Sequence, residues 1–280
     1  MESLVSTGWL AAELGAPDLR VADATIFLPG SGRDGRAEYE AEHIPGAAFM
    51  DLEDIVAEDT PLPHMLPPAH KLASRMQALG IGDADRIVVY DNSPLHSAAR
   101  AWWMLRTFGA RQVAILDGGF ARWKAEGRPV ESGGRPAERA HFTPRLDRDA
   151  VADKTFVSAL LGTGAWEIVD ARPESRFRGE QPEPRPGMRP GHIPGSKSLP
   201  QSDLFEADGR WKRGEALRAA FAAAGVDLAR PMVTTCGSGV TAAVLLFGAH
   251  LLGKADVRLY DGSWSEWGAD PALPKAVGAA

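Results

Sequence analysis

The sequence has very little cysteine: Cys236 is the only one in 280 residues. One thiol cannot close an internal disulfide, and it cannot supply a multi-cysteine zinc site. Long apolar runs are also missing. Residues 240–246 form one of the longest, far short of a bilayer span. Basic residues are not in excess. The chain has 31 Lys and Arg against 37 Asp and Glu, a net charge of −6, and a nucleic-acid binder usually shows a basic balance or stripe. No basic residue precedes Arg20, and Glu13 interrupts the short apolar stretch before it. A secretory signal needs a positive n-region and an unbroken apolar core, and a transit peptide is Arg-rich and acid-poor. The expectation is therefore a cytoplasmic protein in a reducing compartment, with no membrane segment and no nucleic-acid partner.

What is present is the composition of a globular chain, 44% hydrophobic and 24% charged. The length suits two ordinary domains. An internal repeat makes that division specific. His43-Ile44-Pro45-Gly46 returns as His192-Ile193-Pro194-Gly195, 149 residues on. Asp23 in Val-Ala-Asp-Ala matches Asp170 in Val-Asp-Ala-Arg, 147 residues on. Asp117-Gly118-Gly119-Phe120-Ala121-Arg122-Trp123 returns as Asp261-Gly262-Ser263-Trp264-Ser265-Glu266-Trp267, 144 residues on. These signals keep their order at nearly constant offset, as expected of two homologous domains in tandem. The polar, turn-rich stretch 127–144 reads as the edge of the first domain followed by a link. The expected boundaries are 1–136, a linker over 137–150, and 151–280.

Within each copy, short apolar β-rich runs alternate with segments of helical length. Examples are 86–90 and 113–116 around 98–108, and 232–235 and 257–260 around 240–252. Strand, helix, strand with continuously apolar strands predicts parallel βαβ units, hence an α/β fold with helices on both faces of each sheet.

Cys236 sits where chemistry would be placed. It follows a predicted strand and precedes Gly237-Ser238-Gly239-Val240-Thr241 and a helix. Ligands of open parallel sheets bind beyond the carboxyl ends of the strands. Two glycines let the backbone curl so that successive N–H groups form a nest for an anion on sulfur, and the helix N-terminus favours thiolate. A buried inert thiol is the bland alternative; the Gly-x-Gly loop at a strand–helix junction argues against it. In the first copy the matching position is Asp91, so only the second copy can do thiol chemistry. A phosphatase loop would need an arginine six residues after the cysteine, and Ala242 stands there. His64 could act as a hydrolase base, but no local hydrolase signature is present.

With these motifs the sequence resembles the tandem-domain rhodanese sulfurtransferases, most nearly their 3-mercaptopyruvate branch. Further support comes from Gln181-Pro-Glu-Pro-Arg-Pro-Gly187, Pro63-His64-Met65-Leu66-Pro67, Arg100-Ala-Trp-Trp-Met104 and Leu116-Asp-Gly-Gly-Phe120. The resemblance spans nearly the whole chain and implies two rhodanese-like domains, the second catalytic. It implies a persulfide on Cys236, cradled by Gly237, Ser238, Gly239, Val240 and Thr241. It matches Arg176 and Arg185 to substrate-binding arginines, although residues 176–194 alone read as a stiff proline-rich loop whose arginines pair with Glu174, Glu180 and Glu183. It pairs Ser238 with His64, brought from the first copy across an interdomain cleft, and with an acid at Glu53 or Asp51. His43 and His192 occur in both copies and read as structural braces. Small neutral Gly237 and Ser238 fit 3-mercaptopyruvate, whereas thiosulfate enzymes tend to place basic residues there. The acceptor would be a thiol, such as a thioredoxin-like protein, or cyanide. No metal or organic cofactor is implied. A thiosulfate:cyanide sulfurtransferase, a persulfide carrier loaded by a protein donor, and a redox-sensing thiol are the other readings. Residues beyond Pro271 read as a loosely held tail.

Overall fold

The computed structural model describes residues 1–134 and 138–279. The expected boundary between residues 136 and 137 lies outside the described residues. By its internal contacts the chain forms two compact units. The first comprises Met1–Glu58, Leu66–Asp147 and Ala207–Arg210; the second comprises Asp59–Met65, Arg148–Glu206 and Trp211–Ala280. The segment carrying His64 therefore belongs to the second unit, although it lies in the first copy of the repeat.

The first unit contains β1 (Leu4–Val5), α1 (Thr7–Glu13), β2 (Leu19–Asp23), α2 (Gly35–Ala41), β3 (Ala48–Phe49), α3 (Ala69–Ala78), β4 (Arg86–Tyr90), α4 (Ala98–Thr107), β5 (Gln112–Leu116) and α5 (Gly119–Ala125). Its five strands are all parallel, in the order β1-β5-β4-β2-β3. Side chains alternate across a strand, so each buried strand must cover two faces. Val88 and Tyr90 of β4 pack with Leu10 of α1, Tyr39 of α2 and Phe120 and Trp123 of α5. Ile87 and Val89, equally buried, point to the opposite face, where α4 packs against β4 and β5. The continuously apolar strands thus have helices on both sides.

The second unit repeats the plan with β6 (Val151–Ala152), α6 (Lys154–Leu160), β7 (Glu167–Asp170), α7 (Glu174–Phe177), β8 (Lys197–Ser198), α8 (Gly214–Ala223), β9 (Met232–Thr235), α9 (Ala242–Leu251), β10 (Val257–Tyr260) and α10 (Ser263–Trp267). The order is β6-β10-β9-β7-β8, again all parallel. Ile168, Val233 and Tyr260 pack with Val157 of α6 and with Trp264 and Trp267 of α10. On the other face α9 is buried from Ala242 through Ala249. An all-round apolar helix is a core helix here, which accounts for the hydrophobic run 240–246. Among the described residues no helix is long and apolar enough to cross a membrane.

The C-terminal stretch differs from the loose tail expected of it. Ala276 exchanges backbone hydrogen bonds with His192 in both directions, at 2.8 and 3.0 Å, and Trp267 Nε1 donates to Pro274 O. The first copy has the same device, with Glu131 paired to His43. Each histidine also stacks on an aromatic ring and bonds a backbone carbonyl: His43 on Tyr39, His192 on Phe177. The two His-Ile-Pro-Gly segments are structural clasps.

Candidate active site

Cys236 is the first residue after β9, at the carboxyl edge of the sheet, and is 2% exposed. The loop 237–241 then turns into α9, with Gly239 at φ +79°. The N–H groups of Gly237, Ser238, Val240 and Thr241 have no hydrogen-bond acceptor among the described residues. Buried backbone donors are normally paired. Four N–H groups without a protein acceptor beside a thiol, those of Ser238 and Val240 on buried residues and those of Gly237 and Thr241 on half-buried ones, favour negative charge on sulfur.

The first copy shows the contrast. Asp91 occupies the cysteine position, and its carboxylate accepts from Ser93 N (3.1 Å) and Ala98 N (2.7 Å). Two donors of this loop and of the helix start are therefore taken by its own side chain. Burial pushes the Asp91 carboxyl up to about 6, in spite of those two bonds.

The cysteine loop is braced from below by the start of α10. Cys236 N donates to Ser263 Oγ at 3.2 Å, and Ser263 Oγ donates to Tyr260 O at 2.8 Å. Trp264 N donates to Cys236 O, and both Ser265 N and Ser265 Oγ donate to Gly237 O. Ser263 holds φ +48°, a left-handed value uncommon outside glycine. Its counterpart Gly119 has φ +58°, and a Cβ there would lie 2.5 Å from Asp91 O. Neither Ser263 nor Ser265 was singled out from sequence. The signal was available in the repeat, where Gly119 and Ala121 become serines only in the cysteine-bearing copy.

Ser238 is 6% exposed, and its Oγ lies 2.8 Å from His64 Nδ1. His64 is 8% exposed and also left-handed, at φ +60°. Strain of this kind in a non-glycine residue persists where the surroundings hold it in place. Arg185 Nη1 stands 3.5 Å from the same Ser238 oxygen, a long contact.

Arg176 departs from the sequence reading in its setting. It lies on the short helix α7 rather than on an extended loop. Its Nη2 comes within 3.2 Å of where a Cβ on Gly237 would be, so the bare glycine backbone permits the approach. The same nitrogen makes a very short ion pair with Glu183. Glu183 also bonds Arg172 Nη1 at 2.6 Å. Arg172 in turn grips Asp170 through Nε and Nη2, donates to Gly191 O, and lies over the Trp264 ring. Burial disfavours the Arg172 charge, but the Asp170 and Glu183 carboxylates outweigh it and hold its pKa above the usual value. Sequence alone treated Glu183 as the partner in a solvated loop; its side chain is in fact 1% exposed.

Cys236, Ser238, His64, Arg176 and Arg185 thus converge within the second unit. Glu53 and Asp51 belong to the first unit. There Asp51 Oδ1 accepts from Glu53 N and Asp54 N, and Asp51 Oδ2 meets Arg36 Nη2 at 3.3 Å, while Glu53 is exposed. Among the described residues no group of three or more His, Cys, Asp or Glu converges to hold a metal.

This arrangement has known counterparts. The rhodanese-like domain family matches twice, over residues 6–126 and 153–270. The chain is 44% identical over 271 residues to the 3-mercaptopyruvate sulfurtransferase of Rattus norvegicus, covering 95% of this chain and 91% of that protein. It is 43% identical over 272 residues to the thiosulfate sulfurtransferase of Bos taurus, covering 95% and 91%. The crystal structure of SseA from Escherichia coli, a 3-mercaptopyruvate sulfotransferase, superposes with a TM-score of 0.87 at 39% identity, over 95% of this chain and all of that one. With matches of this extent in both halves, the chain belongs to the rhodanese-like family and carries two such domains in tandem.

Proposed function

We propose that this protein is a 3-mercaptopyruvate sulfurtransferase working through a Cys236 persulfide. The observation that carries the reading is the cysteine loop itself: unpaired N–H groups around the thiol, neutral Gly237 and Ser238 beside it, and Arg176 and Arg185 at its edge. Relatives of equal similarity bear both donors' names, so the loop chemistry decides between them. A dianion whose charge adjoins the transferred sulfur suits basic loop residues. A donor whose carboxylate lies three atoms away suits a neutral loop with arginines set back from it.

In the mechanism the Cys236 thiolate attacks the sulfur of 3-mercaptopyruvate. The new S–S bond forms as the C–S bond breaks, and its electron pair passes to carbon as the enolate of pyruvate. Arg176 and Arg185 hold the carboxylate and keto oxygen, where guanidinium forks stabilise the developing charge. Ser238 and His64 take the thiol proton and return one to the enolate carbon, releasing pyruvate. Glu53 is the proposed acid behind His64, with Asp51 the alternative. The N–H groups of residues 237–241 cradle the persulfide. An acceptor thiolate, on a thioredoxin-like protein or a small thiol, or cyanide, then attacks the outer sulfur and frees Cys236. The two half-reactions predict ping-pong kinetics. Residues 1–136 form the non-catalytic domain in this reading and 151–280 the catalytic one. A reducing compartment, the cytoplasm, keeps the thiol ready.

The test is intact mass after brief exposure to 3-mercaptopyruvate, with thiosulfate and Cys236→Ser in parallel. A gain of about 32 Da, absent in the variant and removed by a thiol, is the expected result. Faster loading by thiosulfate would reassign the donor. No loading of folded, reduced protein by either would leave a carrier served by a protein donor.

A further inference from the structure

The two arginines at the loop do not present two free charges. Asp170, Arg172, Glu183 and Arg176 form one continuous chain of ion pairs running from the end of β7 to the backbone of Gly237. The side chains of Asp170, Arg172 and Glu183 are each 1% exposed, and that of Arg176 is 15% exposed. Two carboxylates and two guanidinium groups sum to zero. Water screens little at such burial, so the charge of each link is felt along the chain. Glu183 is the pivotal link. It is the group that reaches both arginines, and it comes from the proline-flanked segment Pro182-Glu183-Pro184, which fixes its backbone.

We propose that Glu183 is a positioning residue that determines donor specificity. Its carboxylate holds Arg176 against the loop and cancels one unit of positive charge beside Cys236. The loop then favours a singly charged α-keto acid donor over dianionic thiosulfate. This inference rests on the sulfurtransferase reading above.

Both consequences of losing the carboxylate point the same way. Arg176 loses its tether, which weakens the hold on an α-keto carboxylate. The loop mouth gains one positive charge, which helps a dianion more than a monoanion. A purely structural role would lower the rates with both donors together.

The experiment measures kcat/KM for 3-mercaptopyruvate and for thiosulfate in the wild type, Glu183→Gln and Glu183→Asp, with folding checked by thermal melting. The thiosulfate to mercaptopyruvate ratio should rise about fivefold or more in Glu183→Gln, from one added charge at close range. Most of the loss should lie in KM for mercaptopyruvate. Glu183→Asp, which keeps the charge, should hold the ratio near the wild-type value. If Glu183→Gln does not fold, Asp170→Asn adds the same charge one link further back and leaves the Arg176 tether intact; its ratio should also rise. The first copy already holds the matching Asp23 with Thr25 in place of an arginine, so the fold accommodates an altered pair at this position. An unchanged ratio in either folded charge variant, or an equal fall for both donors, overturns the proposal. A wild type that neither donor loads removes the underlying reading instead.

Discussion

Replacing Ser263 separates backbone strain from hydrogen bonding at the cysteine. The residue opens α10 at φ +48°, is fully buried, and accepts the Cys236 N–H. Ser263→Ala leaves that buried donor unpaired, which costs about 1–3 kcal/mol. Alanine also keeps the left-handed penalty, about 1–2 kcal/mol for a residue with a Cβ. Ser263→Gly loses the same hydrogen bonds but sheds most of the penalty. The order of stability should therefore be wild type, then Ser263→Gly, then Ser263→Ala, with the two variants about 1 kcal/mol apart. Helix propensity alone gives the opposite order, because alanine outranks glycine in a helix by about 1 kcal/mol. Urea titration at fixed pH reads the difference, and melting should show it as about 2–4 °C per kcal/mol. Both variants should load sulfur more slowly, since Cys236 N helps fix the thiol. An alanine variant as stable as the glycine variant would refute the reasoning.

The other expectations concern charge and the loop. His64→Gln should reduce turnover with 3-mercaptopyruvate about 100-fold, the scale of a lost general acid–base, while Cys236 remains alkylatable; unchanged turnover would remove His64 from the mechanism. Asp91 has a folded-state pKa raised to about 6 by burial, against 3.8 unfolded. Between those values the folded state binds the proton more tightly, so this group's contribution to stability is present at low pH and is lost as pH rises through 6. The upper bound is about 3 kcal/mol. The stability of Asp91→Asn relative to wild type should accordingly improve between pH 4 and pH 7 in urea titrations; a flat difference would contradict it. Asp91→Cys in a Cys236→Ser background should gain no sulfur from 3-mercaptopyruvate by intact mass. The first copy has Thr25 and Gly119 where the second has Arg172 and Ser263, so a thiol alone lacks its supports. Loading of that variant would show that the loop suffices.

The fold was legible because the same pattern occurs twice, once in each half. Continuous apolar strands such as 86–90 and 232–235, separated by single helices, leave little but a parallel sheet covered on both faces. The position of Cys236 and Ser238 between a strand and a helix was legible from the strand–Gly-rich loop–helix pattern. Glu183 was not. A glutamate in a proline-rich, charged stretch looks solvated, and only the folded path of 176–192 buries it between two arginines. The stretch beyond Pro271 misled for a related reason. Its residues are mostly small, with Lys275 the one charged side chain, and what fixes them is a backbone bridge from Ala276 to His192, which composition does not register.

The two copies serve as controls for each other, and they separate what the fold supplies from what the chemistry adds. Asp23 and Asp170 end equivalent strands and cap the same turn, each through Oδ1 to the N–H two residues on, at 2.9 Å in both. Phe120 N bonds Asp91 O as Trp264 N bonds Cys236 O, also at 2.9 Å in both. The scaffold is thus shared to the level of single hydrogen bonds. What differs is where the loop's donors go. In the first copy the Asp91 carboxylate takes those of Ser93 and Ala98, while Asn92 N, Leu95 N and His96 N bond Thr25 Oγ1, Ser93 Oγ and Ser93 O. In the second the side chain at that position is a thiol, too weak an acceptor to satisfy them. On the proposed mechanism those donors receive the second, charged sulfur atom of a Cys236 persulfide. The same loop position that serves as an internal acceptor in one half thus lacks one in the other, which on the proposed mechanism is what a Cys236 persulfide would supply.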